Sequence, residues 1–212
     1  MALKLPNSVF IHVPKTGGSW VRSMVRACSV PYSLLGCNWH AGYLDESFHA
    51  CHHNGIREID AEGCFTFGFV RHPATYYQSF WCYQMKRGWR RMHQLQTDSF
   101  EKFVCTALEE HPHGWVSGIY RRLLGEEGEV DFIGKQENLV DDVIAALRLA
   151  GESFDEHAVR NHPSKNVSSG LSEWKKRCVY STTLLREVER LERYAMERFG
   201  YSSLVRTSFP LC

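Results

Sequence analysis

Ser8-Val9-Phe10-Ile11-His12-Val13-Pro14-Lys15-Thr16-Gly17-Gly18-Ser19-Trp20 is the stretch that decides the fold. Apolar residues crowd positions 8–13, the pattern of a strand buried on both faces of a parallel sheet. Pro14 to Gly18 reads as a turn. Ser19 to Cys28 then reads as a helix with Val21, Met24, Val25 and Cys28 on one side. A buried strand, a tight turn and a helix open a βα unit.

The same alternation recurs downstream. Cys64–Val70 is a second clear strand, and Pro73 suits the first turn of the helix after it. Residues 29–48 are rich in loop signals, and Ser47–Cys51 reads as a short strand. Val130–Gly134 is another strand, and Asn138 is placed to cap a helix that Gly151 stops. Leu184, Val188, Leu191 and Ala195 mark a long amphipathic helix closed by Gly200. Strands alternating with helices predict an α/β fold with a mostly parallel sheet, read as a single domain over 1–212.

Composition narrows the function. With 43% hydrophobic residues the chain can bury a core, which excludes a disordered or fibrous protein. Lys+Arg at 25 against Asp+Glu at 24 gives no global pull toward nucleic acid or an anionic membrane. Neither a membrane-spanning run nor a signal-peptide pattern is present, so a cytoplasmic protein is expected. The 8 cysteines contain no C-x-x-C pair and are expected to be reduced. Cys37, His40, His49, Cys51, His52 and His53 crowd one segment, but at spacings that match no familiar zinc pattern.

Anion binding must then come from a local arrangement, and the first turn supplies one. Two glycines let the backbone turn its N–H groups into one concavity, and the helix start adds free N–H groups and the positive end of its dipole. Lys15 adds a charge, and Thr16 and Ser19 add hydroxyls. Such a cradle suits a phosphate or a sulfate ester. A Walker A loop would place the lysine after the glycines; here it precedes them, which disfavours a nucleotide kinase or NTPase. A tight strand–helix turn carrying a surface lysine is the competing structural reading.

Phe10–Ser19 resembles the 5′-phosphosulfate loop of sulfotransferases that use 3′-phosphoadenosine 5′-phosphosulfate (PAPS). It is most similar to the carbohydrate-modifying, Golgi-type branch and its small bacterial relatives. Phe67-Gly68-Phe69-Val70-Arg71-His72-Pro73, followed by Ser79, is similar to the family's 3′-phosphate segment, although His72 stands where relatives commonly carry Asp or Asn. Asp131–Leu139, Lys165–Ser168 and Phe199–Tyr201 also look like family segments, so the resemblance spans about residues 8 to 201.

The resemblance implies a P-loop-NTPase-like three-layer fold. It implies transfer of a sulfuryl group from PAPS to a hydroxyl or amine of an acceptor, with no metal required. Lys15, Thr16, Gly17, Gly18, Ser19, Trp20, Arg71 and Ser79 would bind the cofactor, and Lys165 and Ser168 would contribute from a late loop. Lys15 would also act catalytically on the leaving oxygen. His49, in a His-Ala pair, aligns best with the family's base and His52 second; His53 follows the same expected strand, and Glu46 is an alternative because some branches use a glutamate. Composition and spacing do not separate a polysaccharide, a small alcohol, a peptide tyrosine or a lipid headgroup as acceptor; the resemblance points toward a carbohydrate or small alcohol, with neither nucleic acid nor membrane insertion involved. A non-catalytic nucleotide-binding module is the remaining alternative.

Two readings favour structure over chemistry. Tyr76, Tyr77, Phe80 and Trp81 form i,i+4 pairs that read first as core packing. Lys86, Arg87, Arg90 and Arg91 read first as a solvated helix face.

Overall fold

The computed structural model describes residues 2–35, 53–89, 95–163 and 173–205. They group into two compact units, one of Met1–Arg71 with Ile119–Val167 and the other of His72–Gly118 with Ser168–Cys212.

The first unit holds the whole sheet. Its strands are β1 (Ala2–Lys4), β2 (Ser8–Ile11), β3 (Ser33–Leu35), β4 (Phe65–Val70) and β5 (Phe132–Lys135), in the order β3-β1-β2-β4-β5. β2, β4 and β5 run parallel, with Phe10 opposite Phe67 and Phe67 opposite Phe132. β1 is antiparallel to both of its neighbours, so the sheet is mixed around a parallel core. The architecture is α/β, as the alternating pattern predicts.

One face of the sheet is aromatic. Phe10, Phe67 and Phe69 pack with ring centroids 5.4–6.0 Å apart. The helices α1 (Gly18–Ala27) and, later in the chain, Leu139–Leu149 lay Val21, Met24, Val25, Val143, Ile144 and Leu147 into the same cluster. Gly134 permits that approach: a Cβ there would stand 2.6 Å from the Phe69 ring and 2.8 Å from Asp142 Cβ. Gly151 ends the second helix at φ 66°, with the Gly151 and Glu152 N–H groups bonded back to the Arg148 and Leu147 carbonyls. That turn delivers the buried Glu152 to the start of β2, where it accepts from Asn7 N–H and the Ser8 hydroxyl.

The second unit is helical and is built on α2 (Pro73–Arg87), α3 (Phe100–Glu110) and the start of α4 (Trp115–Leu124). The Leu139–Leu149 helix of the first unit is α5, and Glu156–Arg160 is α6. The second unit continues with α7 (Glu173–Arg177), α8 (Thr182–Leu191) and α9 (Arg193–Arg198). Tyr76, Tyr77 and Trp81 are completely buried, Tyr76 against Trp115, Tyr77 against Phe103 and Trp115, and Trp81 against Phe100 and Trp174, so the aromatic residues of α2 form a core. The helix expected around Leu184–Ala195 breaks at Glu192. This buried carboxylate accepts four hydrogen bonds: Tyr77 Oη (2.8 Å) and Val116 N (2.9 Å) at one oxygen, Ser117 N and Oγ (both 2.7 Å) at the other.

Several boundaries move for local reasons. β2 ends at Ile11, two residues early, and His12 and Val13 carry the chain on into the turn at 14–17. β5 begins at Phe132; the Asp131 N–H donates to the Thr66 hydroxyl (3.1 Å), and the Asp131 carboxylate accepts from the Thr66 N–H and hydroxyl (both 2.7 Å). Asn138 sits at the cap position of α5 but makes no side-chain cap bond. The strands β1 and β3 were not foreseen, and the strand expected at Ser47–Cys51 lies outside the described residues. Among the described residues no helix is long and apolar enough to cross a membrane.

Candidate functional site

Parallel strands gather their carboxyl ends at one edge, where open α/β sheets place ligands. Here that edge carries the turn after β2, Arg71 after β4 and Lys135 at the end of β5. Three cations therefore leave one edge of the first unit.

The turn is tightly constrained. Lys15 adopts φ 66° and Gly17 φ 94°, both left-handed, so the chain reverses within a few residues. Gly17 is needed twice, because a Cβ would also meet Leu139 Cδ2 of α5 at 2.4 Å. Gly18 is needed for another neighbour: a Cβ there would lie 1.9 Å from His12 Cδ2 and 2.3 Å from Nε2. The His12 imidazole thus lies directly over the start of α1.

Hydrogen bonding sorts the donors of the turn. The Thr16 hydroxyl donates to the Val13 carbonyl (3.0 Å) and its side chain is buried, so the expected Thr16 hydroxyl contact to an anion is already spent inside the turn. Trp20 and Val21 both donate their N–H groups to the Gly17 carbonyl. The Trp20 ring lies in the core, edge-on to His162 at 5.5 Å, so Trp20 serves packing. Gly18 and Ser19 precede them in the first turn, where N–H groups have no intrahelical acceptor, and Ser19 is exposed.

Arg71 joins the turn from β4. Its Nη1 stands 3.4 Å from the Lys15 carbonyl, bringing the two sequence motifs to one place. The Arg71 backbone is held by Tyr120 of α4, whose hydroxyl accepts from Arg71 N (2.9 Å) and donates to Arg71 O (2.7 Å). Ser79 lies on α2, in the second unit. His72 begins that unit and takes the capping role an Asp or Asn would fill: its Nδ1 accepts from Ala74 N at 3.2 Å, and its Nε2 faces the Ser202 carbonyl at 3.2 Å. Nδ1 therefore carries no proton and Nε2 carries it.

Of the histidine run, His53 is described. Its Nδ1 is 3.1 Å from the His12 carbonyl, and its ring is 4.9 Å from the His12 ring. Arg122 of α4 donates to the His53 carbonyl at 3.1 Å. Two imidazoles thus flank the turn. His49, His52, Glu46, Lys165 and Ser168 lie outside the described residues.

Comparison of the chain with protein-family models, curated proteins and solved structures gives no match. The site therefore stands on its own geometry. Sequence reasoning passed over His12 and Tyr120. His12 was detectable, since it falls in phase with the inward-facing Phe10 and precedes a glycine pair. Tyr120 carried no signal, because its partners are the backbone groups of a residue 49 positions away.

Proposed function

We propose that this chain is a PAPS-dependent sulfotransferase on a P-loop-like α/β fold. The observation that carries the reading is the Arg71 guanidinium at 3.4 Å from the Lys15 carbonyl. It joins a phosphosulfate-type turn to a 3′-phosphate-type arginine that lies 56 positions further along the chain.

In the reaction the acceptor oxygen forms a bond to sulfur as the bond from sulfur to the phosphate oxygen breaks, and adenosine 3′,5′-bisphosphate (PAP) leaves. The transition state spreads charge over the equatorial oxygens, much as in phosphoryl transfer. Catalysis then consists of positioning and charge neutralisation. The Gly18 and Ser19 N–H groups hold the 5′-phosphate at the positive end of α1. Lys15 neutralises the leaving oxygen. Arg71 binds the 3′-phosphate with charge-assisted bonds. Ser79, Lys165 and Ser168 carry their cofactor roles by the sequence resemblance alone. The acceptor proton goes to a histidine, with His49 first and His52 second by the same resemblance.

A Mg²⁺-nucleotide kinase fits this edge less well. Such an enzyme needs an acidic residue at the end of a strand near the cradle. Here the described neighbours β4 and β5 run out into Arg71 and Lys135, Asp131 stands at the opposite end of β5, and the Asp142 carboxylate beside Lys135 already accepts from the Lys135 N–H (2.5 Å).

Calorimetric titration tests the proposal. PAP should bind clearly tighter than ATP, and Lys15→Ala should lower transfer of ³⁵S from labelled PAPS by roughly 10²–10³-fold, the scale for one lost electrostatic stabiliser. Equal or reversed affinity for the two nucleotides would remove the sulfotransferase reading.

A further inference from the structure

The second unit brings together two thiols far apart in sequence. Cys82 lies on α2, and Cys178 directly follows α7. Their sulfurs are 3.3 Å apart although 96 positions separate them along the chain. A disulfide needs about 2.05 Å between sulfurs, so closure requires little more than about 1.3 Å of movement.

The backbone around the pair is already docked. Gln78 Nε2 donates to the Cys178 carbonyl at 2.8 Å, and the Tyr180 hydroxyl donates to the Ala74 carbonyl at 2.8 Å. Trp81 and Trp174 meet edge to face at 6.0 Å, with the Arg177 guanidinium 5.0 Å from the Trp174 ring. These contacts hold both chain segments in register around the two thiols.

We propose that Cys82 and Cys178 are a modification site: a thiol pair that closes to an intramolecular disulfide on meeting a small-molecule disulfide of the glutathione class.

The two thiols have unequal roles. Cys178 is 5% exposed, and the neighbouring Cys82 sulfur together with burial pushes its thiol well up. Cys82 is half-buried and meets the oxidant first. In the first exchange its sulfur attacks oxidised glutathione, forming a mixed disulfide and releasing one glutathione thiol. In the second, the Cys178 sulfur attacks Cys82, releasing a second glutathione thiol. Two protein thiols are oxidised and one glutathione disulfide is reduced to two thiols, with both thiol protons passing to the leaving glutathione sulfurs.

The test is differential alkylation with peptide mapping of the full chain, before and after exposure to oxidised glutathione. The expected result is loss of alkylation at Cys82 and Cys178 together, with a cross-linked peptide that contains both. Cys178→Ser should instead arrest at a glutathione adduct on Cys82. The proposal fails if both cysteines are alkylated equally before and after exposure. It fails equally if wild-type Cys82 stays as the glutathione adduct, or if Cys82 cross-links to another cysteine. The wild-type map decides even if the variant folds poorly.

Discussion

Gly18→Ala probes the wall of the candidate site directly. The new methyl would stand 1.9 Å from His12 Cδ2, 2.3 Å from Nε2 and 2.9 Å from Cγ. Ordinary carbon contacts lie near 3.5–4.0 Å, so the imidazole must retreat by roughly 1.5 Å. Gly18 is a helical residue outside the left-handed region, so backbone strain adds nothing and the effect is steric. Overpacking of this kind costs about 1–3 kcal/mol. The displaced ring would also give up its place 4.9 Å from His53. The clash names its partner, so the double variant Gly18→Ala with His12→Ala should recover most of the loss, a coupling of about 1–3 kcal/mol. Urea unfolding of the four proteins measures the cycle, and PAP calorimetry follows the site. A Gly18→Ala protein within about 0.5 kcal/mol of wild type, or an equal penalty in the His12→Ala background, would refute the reasoning.

Other outcomes follow from named contacts. Glu192→Gln should destabilise the second unit by about 3–5 kcal/mol, because the amide NH₂ must face a buried N–H donor wherever it points. Tyr77→Phe removes one donor of the four and should cost only about 1–2 kcal/mol; denaturant titration that reversed this order would contradict the buried-carboxylate account. Burial, reinforced by Glu192, pushes the Tyr77 phenol up from 10.0, and burial does the same for Tyr180. A phenol raised in the folded state adds stability that is present below the unfolded value and lost as pH climbs past it, so stability should fall above about pH 10. Ultraviolet titration should show these two phenols ionising only with alkaline unfolding. Arg71→Ala should weaken PAP binding about 10- to 100-fold by loss of charge-assisted bonds, and unchanged affinity in calorimetry would remove Arg71 from the 3′-phosphate.

Local pattern carried much of the fold. The apolar run at 8–13, the Phe-rich run ending at Val70 and the glycine after α5 each announced an element, because burial on both faces and left-handed helix ends leave marks within a few residues. β1 and β3 left little mark, being three residues each and paired antiparallel at one side of the sheet. The break at Glu192 was hidden for another reason: the helical period of Val188, Leu191 and Ala195 runs through it, while the carboxylate answers to donors at 77, 116 and 117. The turn at Lys15–Gly18 was legible, but which of its hydrogen-bonding groups are engaged within the fold was not. That depended on Val13 taking the Thr16 hydroxyl and on the core taking Trp20. The interleaving of the two units, with the chain leaving the first after Arg71 and returning at Ile119, had no local signature.

The Tyr120 phenol occupies both main-chain groups of Arg71, acting as a one-residue prolongation of the sheet. The Arg71 main chain is therefore fixed at both of its hydrogen-bonding groups, and only the side-chain torsions are left to aim the guanidinium. A Tyr120→Phe protein would lose both of those bonds while keeping every charge at the edge.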